Sequence, residues 1–334
     1  MSRFHKTLVS YLFCFLTWIK IIRIYPLQLF KLSCLATLLL PNIVLAESYQ
    51  SFTHLSYSQN KSSFNASEYN YSSKGNSDNF SLSSRYYFDE RQSLGPLNEF
   101  DYINTSSTIS IFSSNRNSEY FAVNNDNNFN SDYSNNKVGV SGEWITNSFI
   151  LGGSYSYNKS RRDYNEFSYD DSGNDLSVKL GYLFTDNFVI QAGYLEDEDG
   201  EDTFSYSARY NLQLADTDYI GFTYGVDDSF DVHQLSSQYF FGIAEQSYLV
   251  LGGSYTLNNR DNAFSKDYWS INGSYYYDDK TSVSVTYADN DFYSVGVRYF
   301  IDNNYSIQAG YNSVSGDKNQ SEYEGGHFSF SAQF

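Results

Sequence analysis

The chain has 334 residues, of which 34 are Tyr and 27 are Phe, whereas only 3 are Pro. Its formal net charge is -18, and the 16 Lys and Arg that follow residue 46 stand against 39 acids, a balance of -23. Such an acidic surface repels the phosphate backbone, which excludes nucleic acid as a partner. The two cysteines, Cys14 and Cys34, precede residue 47, so the later chain has no disulfide and no thiolate metal site. We expect neither a metal nor another cofactor.

Residues 1–46 are predicted to be an export signal. They hold five basic residues and no acid, and the apolar run Leu32 to Leu40 precedes a small-residue cleavage site at Val44-Leu45-Ala46. An earlier apolar run, Leu8 to Ile24, makes this segment unusually long. An extended signal, a true start further along the chain and a retained inner-membrane anchor therefore stay open. Residues 47–334 contain no apolar run long enough for a membrane helix.

After residue 46 the polarity alternates with period two, which gives each predicted strand one apolar, aromatic face and one polar face. We count sixteen such strands: 49–58, 79–88, 101–112, 136–145, 149–158, 174–184, 188–196, 203–213, 219–226, 231–242, 248–257, 267–277, 281–288, 292–300, 305–314 and 326–334. Connections on one rim are short, except 89–100, and those on the other include long polar loops: 59–78, 113–135, 159–173, 258–266 and 315–325. This segregation predicts an all-β fold, a sixteen-stranded antiparallel transmembrane β-barrel spanning residues 47–334 with short periplasmic turns and long extracellular loops. A secreted β-sandwich, the rival fold, has no reason to sort its connections in this way.

The one long periplasmic connection carries a resemblance to a known family. Tyr86-Tyr87-Phe88-Asp89, followed by Gly95-Pro96-Leu97-Asn98-Glu99-Phe100, resembles a segment of a family of general-diffusion porins of Gram-negative outer membranes. In this chain Phe100 comes one residue after Glu99, where the family pattern has three. The resemblance implies a sixteen-stranded, trimeric porin, and it names no solute.

An outward face poor in large apolar groups gives the trimer a predicted position. Ser84, Thr105, Ser107 and Gly142 fall on the outward face of the second to fourth predicted strands. Small and hydroxyl side chains let two barrels approach closely, so we place the interface between copies there.

The polar faces of the strands predict the lining of the lumen. Most inward side chains are small and uncharged, such as Ser154, Gln191, Asn211, Asn272 and Gln308, which suits a water-filled channel. The charged pore-lining residues are five cations and one acid: Arg85, Lys137, Glu143, Lys179, Arg209 and Arg298.

The loop 159–173 is a candidate constriction. The resemblance to general porins implies a loop that folds into the barrel, with Glu166, Asp170 and Asp171 facing the basic wall. Opposed charges across a narrow gap create a transverse field that sorts solutes. An ordinary surface loop is the alternative. With the mature charge of -23, we expect a weak cation preference at low salt that fades or reverses as salt rises.

The acidic run Glu196-Asp197-Glu198-Asp199-Gly200-Glu201-Asp202 is interpreted as a solvated loop tip. A cation-attracting vestibule or a divalent-ion site shared with lipopolysaccharide phosphates stays open, although the spacing matches no calcium loop.

The C-terminal segment Gly325 to Phe334 predicts the strand that closes the barrel. Phe328, Phe330 and Phe334 share one face, and we expect them to serve as the assembly signal that the barrel-assembly machinery of the outer membrane recognises.

Enzyme hypotheses have weak support. His54-Leu55-Ser56 and His327-Phe328-Ser329 match the His-x-Ser spacing of outer-membrane lipid hydrolases, but both pairs point into the lumen, away from lipid. Asp227-Asp228 with Asp231 and His233 is the nearest match to a barrel protease.

We predict a non-enzymatic porin that lets small hydrophilic solutes diffuse across the outer membrane, in contact with its lipid and lipopolysaccharide. The leading alternative is a barrel that acts as an adhesin or receptor through its polar loops.

Overall fold

The computed structural model describes the residues that follow the predicted export signal, with short gaps. The described ranges are 48–66, 71–92, 103–124, 127–164, 167–197, 202–215, 217–260, 267–278, 280–289, 291–314 and 322–334. The predicted signal, residues 1–46, lies outside them.

The chain forms a closed antiparallel barrel of sixteen strands, which confirms the predicted fold. Each strand pairs with its neighbours in sequence, and β1 pairs with β16 to close the sheet. The strands are β1 Ser48–Ala66, β2 Tyr71–Gln92, β3 Thr108–Asn124, β4 Asn127–Thr146, β5 Phe149–Tyr164, β6 Phe167–Thr185, β7 Phe188–Glu196, β8 Asp202–Gln213, β9 Tyr219–Asp227, β10 Val232–Ala244, β11 Ser247–Asn258, β12 Tyr268–Tyr276, β13 Thr281–Ala288, β14 Phe292–Phe300, β15 Tyr305–Val314 and β16 Glu322–Gln333.

The closing seam depends on the end of the chain. Ser329 of β16 lies opposite Ser56 of β1, and the ladder continues to Gln333 opposite Phe52. The carbonyl of Phe334 accepts backbone hydrogen bonds from Gln50 (2.6 Å) and Ser51 (2.7 Å). Because a barrel without this seam would expose two strand edges to lipid, the last strand is indispensable to closure.

The alternation of side chains sets the two faces of the wall. Large apolar groups lie on the outer face with half or more of their surface exposed, as at Val140 (50%), Leu151 (56%) and Leu180 (59%). Such exposure would be costly in water, whereas it suits contact with hydrocarbon. The residues between them, among them Ser154, Ser156 and Ser177, point inward.

Tight turns connect the strands at the rim that carries both ends of the described barrel. Asn147 and Ser148, which join β4 to β5, both have positive φ (45° and 72°), the signature of a type I′ hairpin turn. In the turn before β15, the Asp302 carboxylate accepts hydrogen bonds from the amides of Asn304 (2.8 Å) and Tyr305 (3.0 Å). The pKa of Asp278, in the turn before β13, is lowered because the amide of Lys280 donates to its carboxylate.

The opposite rim is uneven, and it corrects the prediction of long loops there. Strands β1 to β6 have 16 to 22 residues, whereas β7 to β16 have 8 to 13. At about 3.4 Å per residue, β2 is about 75 Å long and β13 about 27 Å. Most of the predicted loops 59–78, 113–135 and 159–173 is therefore paired strand that forms a tall wall on one side. The tips of these three hairpins lie outside the described residues.

The start of β3 is also corrected. The sequence predicts a strand over 101–112, but β3 begins at Thr108 and residues 103–107 form no strand. The hydroxyl of Ser107 accepts a hydrogen bond from the Ile145 amide (2.8 Å), and Ser107 is buried. Ser107 therefore does not lie on the outward face of a strand, and Thr105, which is exposed, belongs to no strand.

Aromatic residues ring the outer face at both rims. Near the tight turns, Phe149, Tyr182 and Phe184 pack in sequence at centroid distances of 5.0 and 4.9 Å. At the other rim, outward tyrosines donate hydrogen bonds to acids on the next strand or its flank: Tyr57 to Asp78 (2.7 Å), Tyr194 to Asp202 (2.8 Å), Tyr255 to Asp267 (2.6 Å) and Tyr287 to Asp291 (3.1 Å). Amphipathic rings at two levels mark the two boundaries of a membrane belt. No helix among the described residues is long and apolar enough to cross a membrane.

Candidate pore lining

A cavity of about 620 Å³ lies inside the barrel against the inner faces of β1 to β8 and the end of β16. Among the described residues that line it, four are cations and one is an acid: Arg85, Arg91, Lys179, Arg209 and Glu143. Serines and glutamine provide much of the remaining surface, for example Ser141, Ser154 and Gln191. The cavity is therefore polar, and its formal charge is positive although the whole chain is acidic.

Four of the six predicted pore-lining residues meet in this cavity. Arg85, Glu143, Lys179 and Arg209 line it from β2, β4, β6 and β8. Each of these strands places its charged residue on the inner face because apolar or aromatic neighbours one position away occupy the outer face. The alternation of the sequence thus predicts which side chains point inward.

Glu143 is held from two directions. Its carboxylate accepts hydrogen bonds from Lys179 Nζ (3.3 Å) and from Asn104 Nδ2 (3.1 Å), and Asn104 belongs to the irregular segment before β3. Because Lys179 balances this single carboxylate, the charges of Arg85, Arg91 and Arg209 dominate the potential of the cavity.

The other two predicted pore-lining cations lie outside this cavity. Lys137 forms a salt bridge of 2.5 Å with Asp175, whose carboxylate also accepts hydrogen bonds from Ser156 (2.9 Å) and Asn158 (3.0 Å). Arg298 donates to the Gln308 side chain from Nε (3.1 Å) and Nη2 (2.6 Å). Lys137 is thus part of a neutral network on the wall, and Arg298 is anchored on the far side of the barrel.

The sequence does not predict two of the charged residues on the inner face, for different reasons. Arg91 falls in the predicted connection 89–100, but β2 continues through it. Asp175 lies within the predicted strand 174–184 and shares the inward alternation of Lys179, so the same pattern could have found it.

A second cavity of about 160 Å³ adjoins the first at Arg209, which lines both. Its other walls are uncharged and small, with Asn211, Thr223, Ser254 and Asn272 among them. A solute that moves between the two spaces passes the Arg209 side chain.

Apolar clusters inside the barrel fill the wall near the tight turns. Phe240, Val250 and Tyr276 form one fully buried cluster, and Ile150, Leu183 and Val189 form another. Such packing against the inner face fixes the wall, because close-packed side chains have few alternative positions.

The predicted constriction loop 159–173 is wrong in the parts that the structure describes. Asp170 lies opposite Arg161, and Asp171 lies opposite Ser160, in a regular hairpin of β5 and β6. Asp170 shares the outward alternation of Leu176 and Val178, so it cannot face the lumen. Backbone pairing satisfies the polar groups that an infolded loop would leave exposed. Glu166 lies outside the described residues.

The predicted assembly residues line the closing seam. Phe330 stacks with Tyr305 at a centroid distance of 5.8 Å, and the ring of Phe334 packs edge-on against the same tyrosine at 5.6 Å. Phe328 lies on the same face and is 38% exposed. These three rings form part of the outer surface beside β15.

The described candidate enzyme residues have partners other than those that the sequence motifs predict. His54 Nδ1 lies 2.9 Å from Ser331 Oγ across the seam, whereas the Ser56 hydroxyl pairs with the Ser81 hydroxyl (2.7 Å). Asp227 binds Arg260 (2.7 Å) and the amides of Asp231 and Val232, while His233 bonds the Tyr224 hydroxyl (2.7 Å).

Of the predicted acidic loop, Asp202 binds Tyr194 and residues 198–201 lie outside the description. Among the described residues, no group of three or more His, Cys, Asp or Glu could hold a metal ion.

A closed barrel with an apolar outer belt and a polar, charged interior defines a transmembrane β-barrel of the channel type. A family model described as "putative general bacterial porin" matches residues 31–334, and the chain belongs to that family. The protein therefore lies in the bacterial outer membrane, and its family supports a porin or channel role rather than an enzymatic one. No curated protein matches the chain.

Solved outer-membrane barrels are similar to the chain at low identity. Omp33 of Acinetobacter baumannii is 14% identical, with a TM-score of 0.42, over 86% of this chain and 99% of that protein. OprB of Pseudomonas putida at low pH is 11% identical (TM-score 0.48), over 85% and 93%. OccK7 (OpdD) of Pseudomonas aeruginosa is 9% identical (TM-score 0.47), over 85% and 99%.

Proposed function

We propose that the chain forms a water-filled pore through which small hydrophilic solutes diffuse passively, and that its interior favours anions. The observation that carries this proposal is the cavity of about 620 Å³, which four cations and one carboxylate line inside a closed barrel. Low-dielectric walls concentrate the field of these charges in the aqueous space. This reverses the weak cation preference expected from the acidic sequence.

The distribution of acids supports an interior that differs in sign from the surface. Asp78, Asp202 and Asp267 accept hydrogen bonds from tyrosines of the outer face, away from the tight turns, and Asp170 faces outward. Salt screens charges at the mouths beyond a Debye length of about 8 Å at physiological strength. The cations of the cavity lie within that distance of a passing ion, so they should dominate selectivity.

Planar-bilayer recording with purified protein tests this proposal. In a gradient of KCl, the reversal potential should show a higher permeability for Cl⁻ than for K⁺. Liposomes that contain the protein should swell in small sugars and less in larger ones. A barrel that is folded but passes neither ions nor sugars would contradict the proposal.

The tall wall favours a second candidate function, a surface receptor or adhesin. Strands β1 to β6 extend beyond the others with polar side chains on both faces, so they present a broad surface to the medium. Shortening the hairpin of β5 and β6 by removing 161–170 separates the two functions. A channel should conduct as before, whereas a receptor should lose binding to cells or phage.

We further propose that the barrel is a homotrimer in contact with lipopolysaccharide and is inserted by the barrel-assembly machinery. The resemblance of the sequence to trimeric porins supports the trimer, and the small outward residues Ser84 and Gly142 remain candidates for the interface. Replacing Gly142 by Leu should then convert trimers to monomers on mild-detergent gels.

A further inference from the structure

One corner of the large cavity combines arginines with aromatic rings. We call it the arginine–aromatic corner, and it consists of Tyr49, Phe52, Arg85, Tyr87 and Arg91 of β1 and β2, all of which line the cavity. Arg91 lies opposite Tyr49, and Arg85 lies opposite Phe52, in the pairing of the two strands. Each cation therefore has an aromatic neighbour one strand away, close enough for one small molecule to touch both.

The aromatic rings of the corner present both faces and edges to the cavity, where a ligand can contact them. Tyr49 and Tyr87 meet edge to face, with centroids 5.9 Å apart and planes at 86°. The Arg91 guanidinium lies 5.5 Å from the centre of the Tyr87 ring. An arginine that stacks on a ring uses its face for that contact, and Arg91 also forms a side-chain hydrogen bond with Tyr49, so its remaining in-plane N–H groups can bind an anion. Tyr49, Phe52 and Tyr87 are half-buried, so each ring keeps surface that a ligand can cover.

The chemistry of the corner selects both parts of a ligand. A guanidinium binds a carboxylate through two parallel N–H···O bonds, a geometry that a lysine cannot supply. An aromatic ring of the ligand can pack against Phe52 or Tyr49 in an offset or edge-on arrangement. The arginines repel cations. An anion without an apolar part does not cover the aromatic rings, which then stay in contact with water.

We propose that the arginine–aromatic corner is a binding site for small carboxylates that carry an aromatic ring, which the pore concentrates and passes. The inference rests on the proposed channel function for its physiological meaning, but binding at the corner is measurable without conduction. Benzoate is the probe, compared with acetate, which lacks the ring, and benzyl alcohol, which lacks the charge.

The first experiment measures binding of each probe to the folded barrel in zwitterionic detergent by ligand-observed NMR and calorimetry. Benzoate should bind about tenfold more tightly than acetate, since a favourable aromatic contact contributes about that factor. Benzyl alcohol should bind more weakly than benzoate by a similar factor of about ten, because it makes no charge-assisted bond. Equal affinities for benzoate and acetate would overturn the proposal.

Substitutions separate the two contacts. Phe52→Ser should weaken benzoate about tenfold and leave acetate unchanged, whereas Arg91→Gln should weaken both acids by a factor of about ten. Phe64→Ser is the matched control for the ring, because it lies further along the inner alternation of β1 and lines neither cavity. Arg298→Gln is the control for the charge. If Phe52→Ser does not fold, Phe52→Leu keeps the apolar volume and should still lose part of the preference for benzoate over acetate.

Conduction then distinguishes failure of this inference from failure of the channel proposal. In bilayers, benzoate should interrupt the chloride current at about one tenth of the acetate concentration. A channel that conducts chloride but treats both acids alike would contradict the corner and leave the channel intact. A barrel that binds benzoate through Phe52 and Arg91 but never conducts would contradict the channel and leave the corner intact.

Discussion

Replacing Arg209 by Gln should weaken anion selectivity more than removal of any other single cation from the barrel interior. Arg209 lines both cavities, so an ion that crosses from one to the other passes close to it. The substitution removes one of four cations from a cavity that holds a single carboxylate. Gln keeps a polar side chain of similar reach, so the change is mainly one of charge.

The magnitude follows from the size of the cavity. A sphere of 620 Å³ has a radius of about 5 Å, which places a central ion about 6 Å from the charge of a lining side chain. In water, one charge at that distance changes the energy of an ion by about 0.7 kcal/mol, with opposite signs for anions and cations. The ratio of Cl⁻ to K⁺ permeability should therefore fall about tenfold at low salt. With a Debye length of about 10 Å at 0.1 M, screening reduces the expected change to about fourfold.

Reversal potentials in KCl gradients at several ionic strengths measure this ratio. Arg298→Gln is the matched control: it removes the same charge from a residue that binds Gln308 and lines neither cavity. Its effect should be less than twofold at about 0.1 M salt, since its charge lies further from the ion path. Equal shifts from both variants, or no shift from Arg209→Gln, would refute the assignment of the ion path to this cavity.

Three further predictions use other parts of the barrel. Glu143→Gln should raise the Cl⁻ to K⁺ permeability ratio about fourfold at 0.1 M salt in the same assay, because the cavity loses its carboxylate and the charge of Lys179 is no longer balanced; an unchanged ratio would show that Glu143 lies away from the ion path. Phe334→Asp should sharply reduce heat-modifiable, protease-resistant barrel in the outer membrane, because it removes a ring from Tyr305 and adds a charge at the closing seam. Asp302→Ala should lower the free energy of unfolding in urea by about 1 kcal/mol, as two turn amides lose their acceptor. Normal folding of Phe334→Asp would contradict the role of the closing aromatic ring, and an unchanged free energy of unfolding in Asp302→Ala would contradict the role of the turn carboxylate.

The barrel can be predicted from the sequence because the membrane requires apolar and polar side chains to alternate along each spanning strand. Between its two rims the outer face must be apolar and the inner face polar, so each spanning strand shows period two. The faces of Val140, Leu151 and Leu180 follow from this rule, as do the inward positions of Arg85, Lys179 and Arg209. Tight turns such as Asn147-Ser148 mark where one strand ends and the next begins.

Beyond the membrane the same rule stops applying, which is why the constriction was misplaced. In the tall wall, both faces of a strand meet water, so Asp170 and Asp171 can be strand residues without any apolar partner in sequence. Only cross-strand pairing decides their structure, as where Tyr164 meets Phe167 at the end of the hairpin and Arg161 meets Asp170. Pairing over this distance is not encoded in local polarity, and it turns Asp170 away from the lumen and fixes Asp171 in the wall as a strand residue. The charge that opposes the basic wall comes instead from Glu143, on a strand whose alternation the membrane does fix.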